Sequence, residues 1–362
     1  MKGKIMSMEL RKGWKGFIIF IIVVTLIAAG YAQLYPSVMD DMEENELVGA
    51  ELVNIEIDGD EIHLSWRRDG SDEMNGSVEY LIVEDTNQYM PNPRRIIETT
   101  DNHTIIERNK DEEVRYFGVI ALIDETRTHI GMASTEEPVD PIEELMDTPF
   151  VRLFSAGRED LSMADMEGFI SIEVYSWWIL LVGVYLAYLS VKSVTTDFEE
   201  DRLDILLSSS VSRKGYLLEK FSALSLFVIF MHVIVGLMIM LSVYSVGETP
   251  SISYLIAMLI AVPMFMVIIA VSMFFAVLFK RSRTAVGVSF GVILVQFGLF
   301  ATGHLVESLE PVHTFTISHY WDYNSVLLDG VVYPWHLVLL TAIAIIFLVA
   351  SMKIFQKSDV PS

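Results

Sequence analysis

Eight histidines, a large number of carboxylates and no cysteine are the groups in this chain that could do chemistry. His313, His319 and Asp322 fall close together, but their spacing is irregular for a metal site, and no metal ion is expected there. Absent thiols remove disulfide, thiolate-metal and thiol redox chemistry. No His-Glu-x-x-His, no pair of Asp within an apolar run and no Gly-x-Ser-x-Gly occurs, so no catalytic residue can be named for hydrolysis inside a membrane. The phosphate loop Gly-x-x-x-x-Gly-Lys-Ser/Thr is missing as well, and no cofactor is expected in this chain. His232 is the one titratable group deep in a long apolar stretch, where either a neighbouring helix or a polar path must satisfy it.

The elements that would hold these residues follow from hydropathy. With 52% hydrophobic residues and a mean hydropathy of +0.44, the 362-residue chain is too apolar for a soluble protein. Apolar stretches run from Phe17 to Leu34, Val174 to Val191, Phe221 to Val246, Ser253 to Phe279, Thr284 to Leu305 and Val332 to Met352. Each is near the ~20 residues that a ~30 Å hydrocarbon core requires, which predicts six transmembrane helices. The first is longer than the apolar part of a signal peptide, so retention is expected over cleavage at Gly30-Tyr31-Ala32. Outside Tyr35 to Ile170, the basic residues cluster at four places: before the first span, between the second and third, between the fourth and fifth (Lys280, Arg281, Arg283), and after the sixth. All four share one side if the spans alternate. The positive-inside rule then makes both termini cytoplasmic and residues 35–170 external, in a multi-pass protein of the cell membrane. None of the spans carries a deep Asp, Glu, Lys or Arg, which argues against an ion-coupled carrier.

The external segment holds 34 acidic and 10 basic residues and so accounts for the formal net charge of −23. Such a surface repels nucleic acid, and no nucleic-acid partner is expected. Within it, short alternating runs at Ile55–Ile57, Ile62–Trp66, Val78–Val83, Arg95–Ile97, Thr104–Ile106, Val114–Ile123 and His129–Ser134 are separated by turn formers such as Asp58-Gly59-Asp60 and Asn75-Gly76. That pattern predicts a sandwich of seven strands. Trp66, Tyr80 and the run Tyr116-Phe117-Gly118-Val119-Ile120-Ala121 give the segment a resemblance to fibronectin type III domains, in which paired aromatics fill the space between the sheets. After it, apolar residues including Ile142, Leu145, Phe150 and Phe154 recur at helical spacing, predicting a juxtamembrane segment on the outer surface over 141–173.

The stretch Asp197 to Arg213, within a segment spanning 193–216, reads as a cytoplasmic helix with an acidic first turn, a Leu-rich face and a Ser-rich stop. It resembles the loop after the second span of type-2 ABC permeases. Glu199 and Glu200 match that loop's acidic cluster, Leu203 to Ser208 its Leu run, Val211-Ser212-Arg213 its end and Lys220 the Lys at the next helix. Arg202 and Ser210 depart from the Gly-Thr and the Pro usual there. The resemblance implies an ABC exporter permease, a dimer or paired permease bound to a separate ABC ATPase subunit that binds the ATP. It also implies a coupling segment in which Glu199, Glu200, Leu203, Leu206, Leu207 and Arg213 face that ATPase.

The fold class expected is therefore a polytopic α-helical membrane protein with an all-β, fibronectin-like sandwich inserted outside the bilayer. Its parts are the N-terminus with the first helix (1–34), the sandwich (35–140), the juxtamembrane segment (141–173) and spans two to six (174–362). Gly287 and Gly291 form Gly-x-x-x-Gly in the fifth span, with Gly298 one heptad on, a stripe suited to close helix packing. Pro263 should break the fourth span. Trp177, Trp178, Tyr320, Trp321, Tyr333 and Trp335 are placed as interfacial anchors. The alternative function is a membrane receptor or scaffold whose sandwich binds an external partner.

Overall fold

The structure is a computed structural model that describes residues 4–44, 52–58, 61–67, 78–86, 93–107, 115–123, 126–135, 148, 153, 155, 158, 161–200, 202–203 and 212–357. The chain forms two compact units, one of residues 1–36 with 146–362 and the other of residues 37–145.

Six helices of the first unit are long and apolar enough to cross a membrane: spans 1 (Gly13–Met39), 2 (Met166–Glu199), 3 (Arg213–Ser245), 4 (Ser253–Phe279), 5 (Ser282–Leu305) and 6 (Pro334–Lys357). Span 4 is the core of the bundle, with 72% of its apolar window buried, against 17% for span 5 and 22% for span 6. A helix that is apolar all round is either buried or lipid-facing, and span 4 is the former while spans 5 and 6 leave most of their surface for lipid or a partner. Span 1 lies along span 3, where Phe17 stacks on Phe227 at 4.2 Å and the Gln33 amide donates to Ser242 Oγ at 2.9 Å. Gly236 lets spans 3 and 4 touch, since a methyl group there would stand 3.0 Å from Leu255 Cα.

Two spans are irregular for identifiable reasons. Span 4 is two helices, Ser253–Ile260 and Val262–Phe279, because Pro263 cannot donate to the turn before it. The Ala261 amide bonds Met258 instead of Ala257, and the Ala257 carbonyl accepts the indole N–H of Trp321 at 2.9 Å. Span 2 carries a π-helical turn over Ser171–Tyr175, after the α-helical turn Met166–Ile170, and its Tyr175 hydroxyl donates to the Tyr254 carbonyl at 2.7 Å. Trp321 and Trp178 are thus core residues, 3% and 1% exposed, and not the interfacial anchors expected; Trp177 and Trp335 remain exposed. The difference is their indole N–H, which finds a partner inside the bundle.

Among the described residues, the second unit contains seven strands in two antiparallel sheets: β1 (Val53–Asp58), β2 (Glu61–Trp66) and β5 (His103–Glu107) in the order β1-β2-β5, and β3 (Glu79–Asp85), β4 (Arg94–Thr99), β6 (Tyr116–Ile123) and β7 (Thr126–Ser134) in the order β4-β3-β6-β7. Alternation explains the inward set: Ile62, Leu64 and Trp66 are buried while Glu61 and Ser65 face out. Trp66 meets Tyr80 edge to face at 5.4 Å, and Ile82, Phe117 and Val119 complete the same apolar cluster. At the start of β6 the ring in the core is Phe117, with the Arg115 guanidinium 5.1 Å above it and paired to Glu84, while Tyr116 is half-buried. The juxtamembrane helix expected over 141–173 lies outside the described residues as far as Asp147, and most of its next dozen positions do too; a helix begins at Met166.

Candidate coupling site

The segment expected to couple begins where span 2 ends. Asp197 and Glu199 occupy the last turn of the helix Ser176–Glu199, and Glu200 leaves helical geometry with φ −104° and ψ 12°. This corrects the expectation of an independent helix starting at Asp197 with an acidic first turn. Carboxylates at a helix C-terminus oppose its dipole, so something must offset them. Two neighbouring spans do.

The first is span 3. Its N-terminus is capped by Ser212, whose hydroxyl accepts from the Gly215 amide at 3.0 Å, and its second turn carries Tyr216, Glu219 and Lys220. The Lys220 ammonium, on a side chain with no exposed surface, pairs with Asp197 at 2.9 Å and with Glu9, and donates to the Ser193 carbonyl. Tyr216, one helical turn back, donates its hydroxyl to the same Asp197 carboxylate at 2.7 Å. Next to it, Glu219 accepts from the Ile5 and Met6 amides at 2.9 and 3.2 Å, satisfying the first free N–H groups of the span 1 helix. One turn of span 3 therefore ties spans 1 and 2 together.

The second is span 5. Glu199 accepts from the Ser282 amide at 2.7 Å and from its hydroxyl at 2.9 Å, so a carboxylate from span 2 caps the N-terminus of span 5. Thr195, one turn earlier, meets the same Ser282 hydroxyl at 2.6 Å. At the far end of the segment, Arg213 donates to the Phe355 and Gln356 carbonyls at 3.3 Å each, at the C-terminal and negative end of the span 6 helix. The chain from 200 to 212 is a bridge whose two footings are bonded to spans 1, 3, 5 and 6.

This placement sorts the residues singled out in the sequence. Glu199, Leu203 and Arg213 lie at one end of the bundle, where Glu199 is exposed and also caps span 5, and Arg213 is half-buried and also bonds the end of span 6. Leu203 is 2% exposed. Glu200 is exposed and pairs with Arg202. Leu206 and Leu207 lie outside the described residues. Tyr216, Glu9 and Ser282 escaped sequence reasoning, which places Asp197 at a helix start and not opposite Lys220, although a Lys inside a helical span needs an acid.

Elsewhere in the bundle, His232 Nε2 accepts the Trp178 indole N–H at 3.1 Å and its Nδ1 lies 2.8 Å from the Val228 carbonyl, so the ring is satisfied by packing neighbours. Gly287, Gly291 and Gly298 face open space: a methyl group at any of them meets nothing within 4 Å. Leu294 and Val295, on the same helix, are 58% and 61% exposed.

Six helices long and apolar enough to cross a membrane, with a β domain inserted after the first, make a polytopic helical membrane protein. The family description "ABC-2 family transporter protein" matches residues 4–360, nearly the whole chain, and the chain belongs to that family. It is a membrane-embedded ABC permease, and the receptor alternative is set aside. A comparison with curated proteins finds no match.

Proposed function

We propose that this chain is the permease of an ABC exporter, working as a pair with a partner permease and driven by a separate ATPase that docks on residues 200–212. Both termini and this bridge lie in the cytoplasm on this reading, and residues 35–170 lie outside, with the sandwich as a fibronectin-like docking module. The observation that carries the proposal is the double fastening of span 2 through Asp197–Lys220 and Glu199–Ser282. A push on the bridge would reach several spans, because its first footing is tied to spans 1, 3 and 5 and its second to span 6. Closure of an ATPase pair would so be turned into a rocking of the spans. The Leu residues at 206 and 207 supply the apolar contact to the ATPase, and the open glycine face of span 5 meets the second permease.

Co-purification from native membranes tests this. Wild type is expected to bring down an ATPase with a phosphate loop, and a variant with Leu206→Asp and Leu207→Asp to lose it while retaining its fold. Equal recovery with both would refute docking on this bridge.

A further inference from the structure

At the opposite end of the spans from the bridge, four histidines from span 5, span 6 and the segment between them come together. His304 closes span 5, His313 lies on the 3-10 helix Glu307–Phe315, His319 follows in the next turn, and His336 is in the first turn of span 6. Ring centroids are 4.6 Å apart for His304 and His313, 4.8 Å for His313 and His319, and 6.0 Å for His319 and His336. His304, His313 and His319 border a cavity of about 190 Å³, also lined by Arg158, Phe300 and Asp322, and His336 packs against His319 beside it. The cluster depends on Gly303: a methyl group there would lie 2.9 Å from the His313 backbone nitrogen, so only glycine lets the 3-10 helix fold back onto span 5. His304 Nε2, His313 Nδ1 and the Ser318 hydroxyl are buried there without a hydrogen-bond partner in the protein. Among the described residues, no three His, Cys, Asp or Glu are arranged to hold a metal ion.

The charges facing the cluster are already committed. Asp322 accepts from the Ser325 amide and hydroxyl at 3.1 and 2.7 Å, capping the helix Tyr323–Leu328. Arg158 is paired with Asp329 at 2.8 Å. Glu310, on the 3-10 helix, is exposed to solvent, and the other titratable neighbours among the described residues are the phenols of Tyr320, Tyr323 and Tyr333. Stacked imidazoles are compatible with one another while neutral; two imidazolium ions at such separations repel, and the shared wall offers little solvent to screen them.

We propose that His304, His313, His319 and His336 form a proton-binding site that holds residues 306–322 against the ends of spans 5 and 6 while it is uncharged and releases them when it takes up protons. Burial, helped by the His313 and His336 imidazoles and opposed by Asp322, holds His319 below the usual imidazole range. Its folded form therefore binds protons less readily than the unfolded chain, so the stability it contributes is present at high pH and is lost as pH falls below about 6.5. The device lies apart from the bridge and does not depend on how an ATPase docks.

Hydrogen–deuterium exchange of the full chain in lipid nanodiscs, at about pH 7.5 and about pH 5 and corrected for the intrinsic pH dependence of exchange, reads it directly. In wild type, amides of 306–322 are expected to lose protection by about tenfold or more at the lower pH, while those of span 4 do not change. In the variants His313→Gln and, separately, His319→Gln, the loss should shrink to about twofold or less. A Gly303→Ala variant should already show the low-pH pattern at the higher pH. Unchanged protection of 306–322 in wild type, an equal loss in both histidine variants, or a loss that spreads to span 4 would each overturn the proposal. So would protection at the lower pH that is restored by zinc and abolished by a chelator, which would make the cluster a metal site.

Discussion

Replacing Lys220 by methionine keeps the aliphatic length of a side chain with no exposed surface but removes the cation between Asp197 and Glu9. Asp197 is itself 2% exposed, and it keeps the Tyr216 hydroxyl as a hydrogen-bond donor. One neutral donor does not compensate a carboxylate held away from water, and breaking a buried ion pair by removing one partner costs about 3–5 kcal/mol. The Lys220→Met variant should be destabilised by that amount in unfolding experiments in mixed detergent micelles. Adding Asp197→Asn removes the more buried of the two stranded charges, Glu9 being the other, and leaves an amide that can still accept from Tyr216. The double variant should then recover part of the loss, with a coupling energy of about 2 kcal/mol in the cycle. A cost below about 1 kcal/mol for Lys220→Met, or a double variant that simply sums the two single losses, would refute the assignment of this pair as the fastening of spans 2 and 3.

Glu199→Ala strips the cap from span 5 and should cost about 1 kcal/mol in the same unfolding measurement, whereas Glu199→Gln, which can still accept from the Ser282 amide, should cost less. His232→Phe leaves the Trp178 indole N–H without its acceptor and should cost about 1 kcal/mol of stability while leaving the transport rate per folded molecule unchanged. Loss of transport at full folding would make His232 part of a path after all. Gly236→Leu should prevent correct packing of spans 3 and 4, since even a methyl group approaches Leu255 Cα to 3.0 Å. Gly291→Leu should leave the folded monomer intact and reduce the dimer fraction in light scattering, and a Gly291→Leu variant that unfolds would contradict an open face at span 5.

Six spans were legible in the sequence because hydropathy over ~20 residues is a strong signal that no tertiary detail reverses. The seven strands were legible because alternation at Ile62, Leu64 and Trp66 fixes which side chains enter the core. The break at Pro263 was visible for a local reason, the missing N–H. What misled was the acidic run from Asp197: acids favour helix starts, so the pattern pointed to a new helix, when in fact Lys220 and Ser282 from two other spans stabilise these carboxylates at a helix end. The histidine cluster was hidden in the same way. His313 and His319 are neighbours in the sequence, but nothing there joins them to His304 and His336, and the fold-back permitted by Gly303 brings His304 and His313 together.

The central claim is that the bridge from 200 to 212 is where an ATPase pushes, and a chain without cysteine makes it directly testable. A single cysteine placed at Leu206, and in a control at the exposed Leu294 of span 5, can carry a short photo-crosslinker in native membranes. The Leu206→Cys protein is expected to capture an ATPase with a phosphate loop, with a yield that changes when ATP is trapped, and the Leu294→Cys protein to capture none. Capture of no ATPase from Leu206→Cys, or equal capture from both positions, would contradict the account.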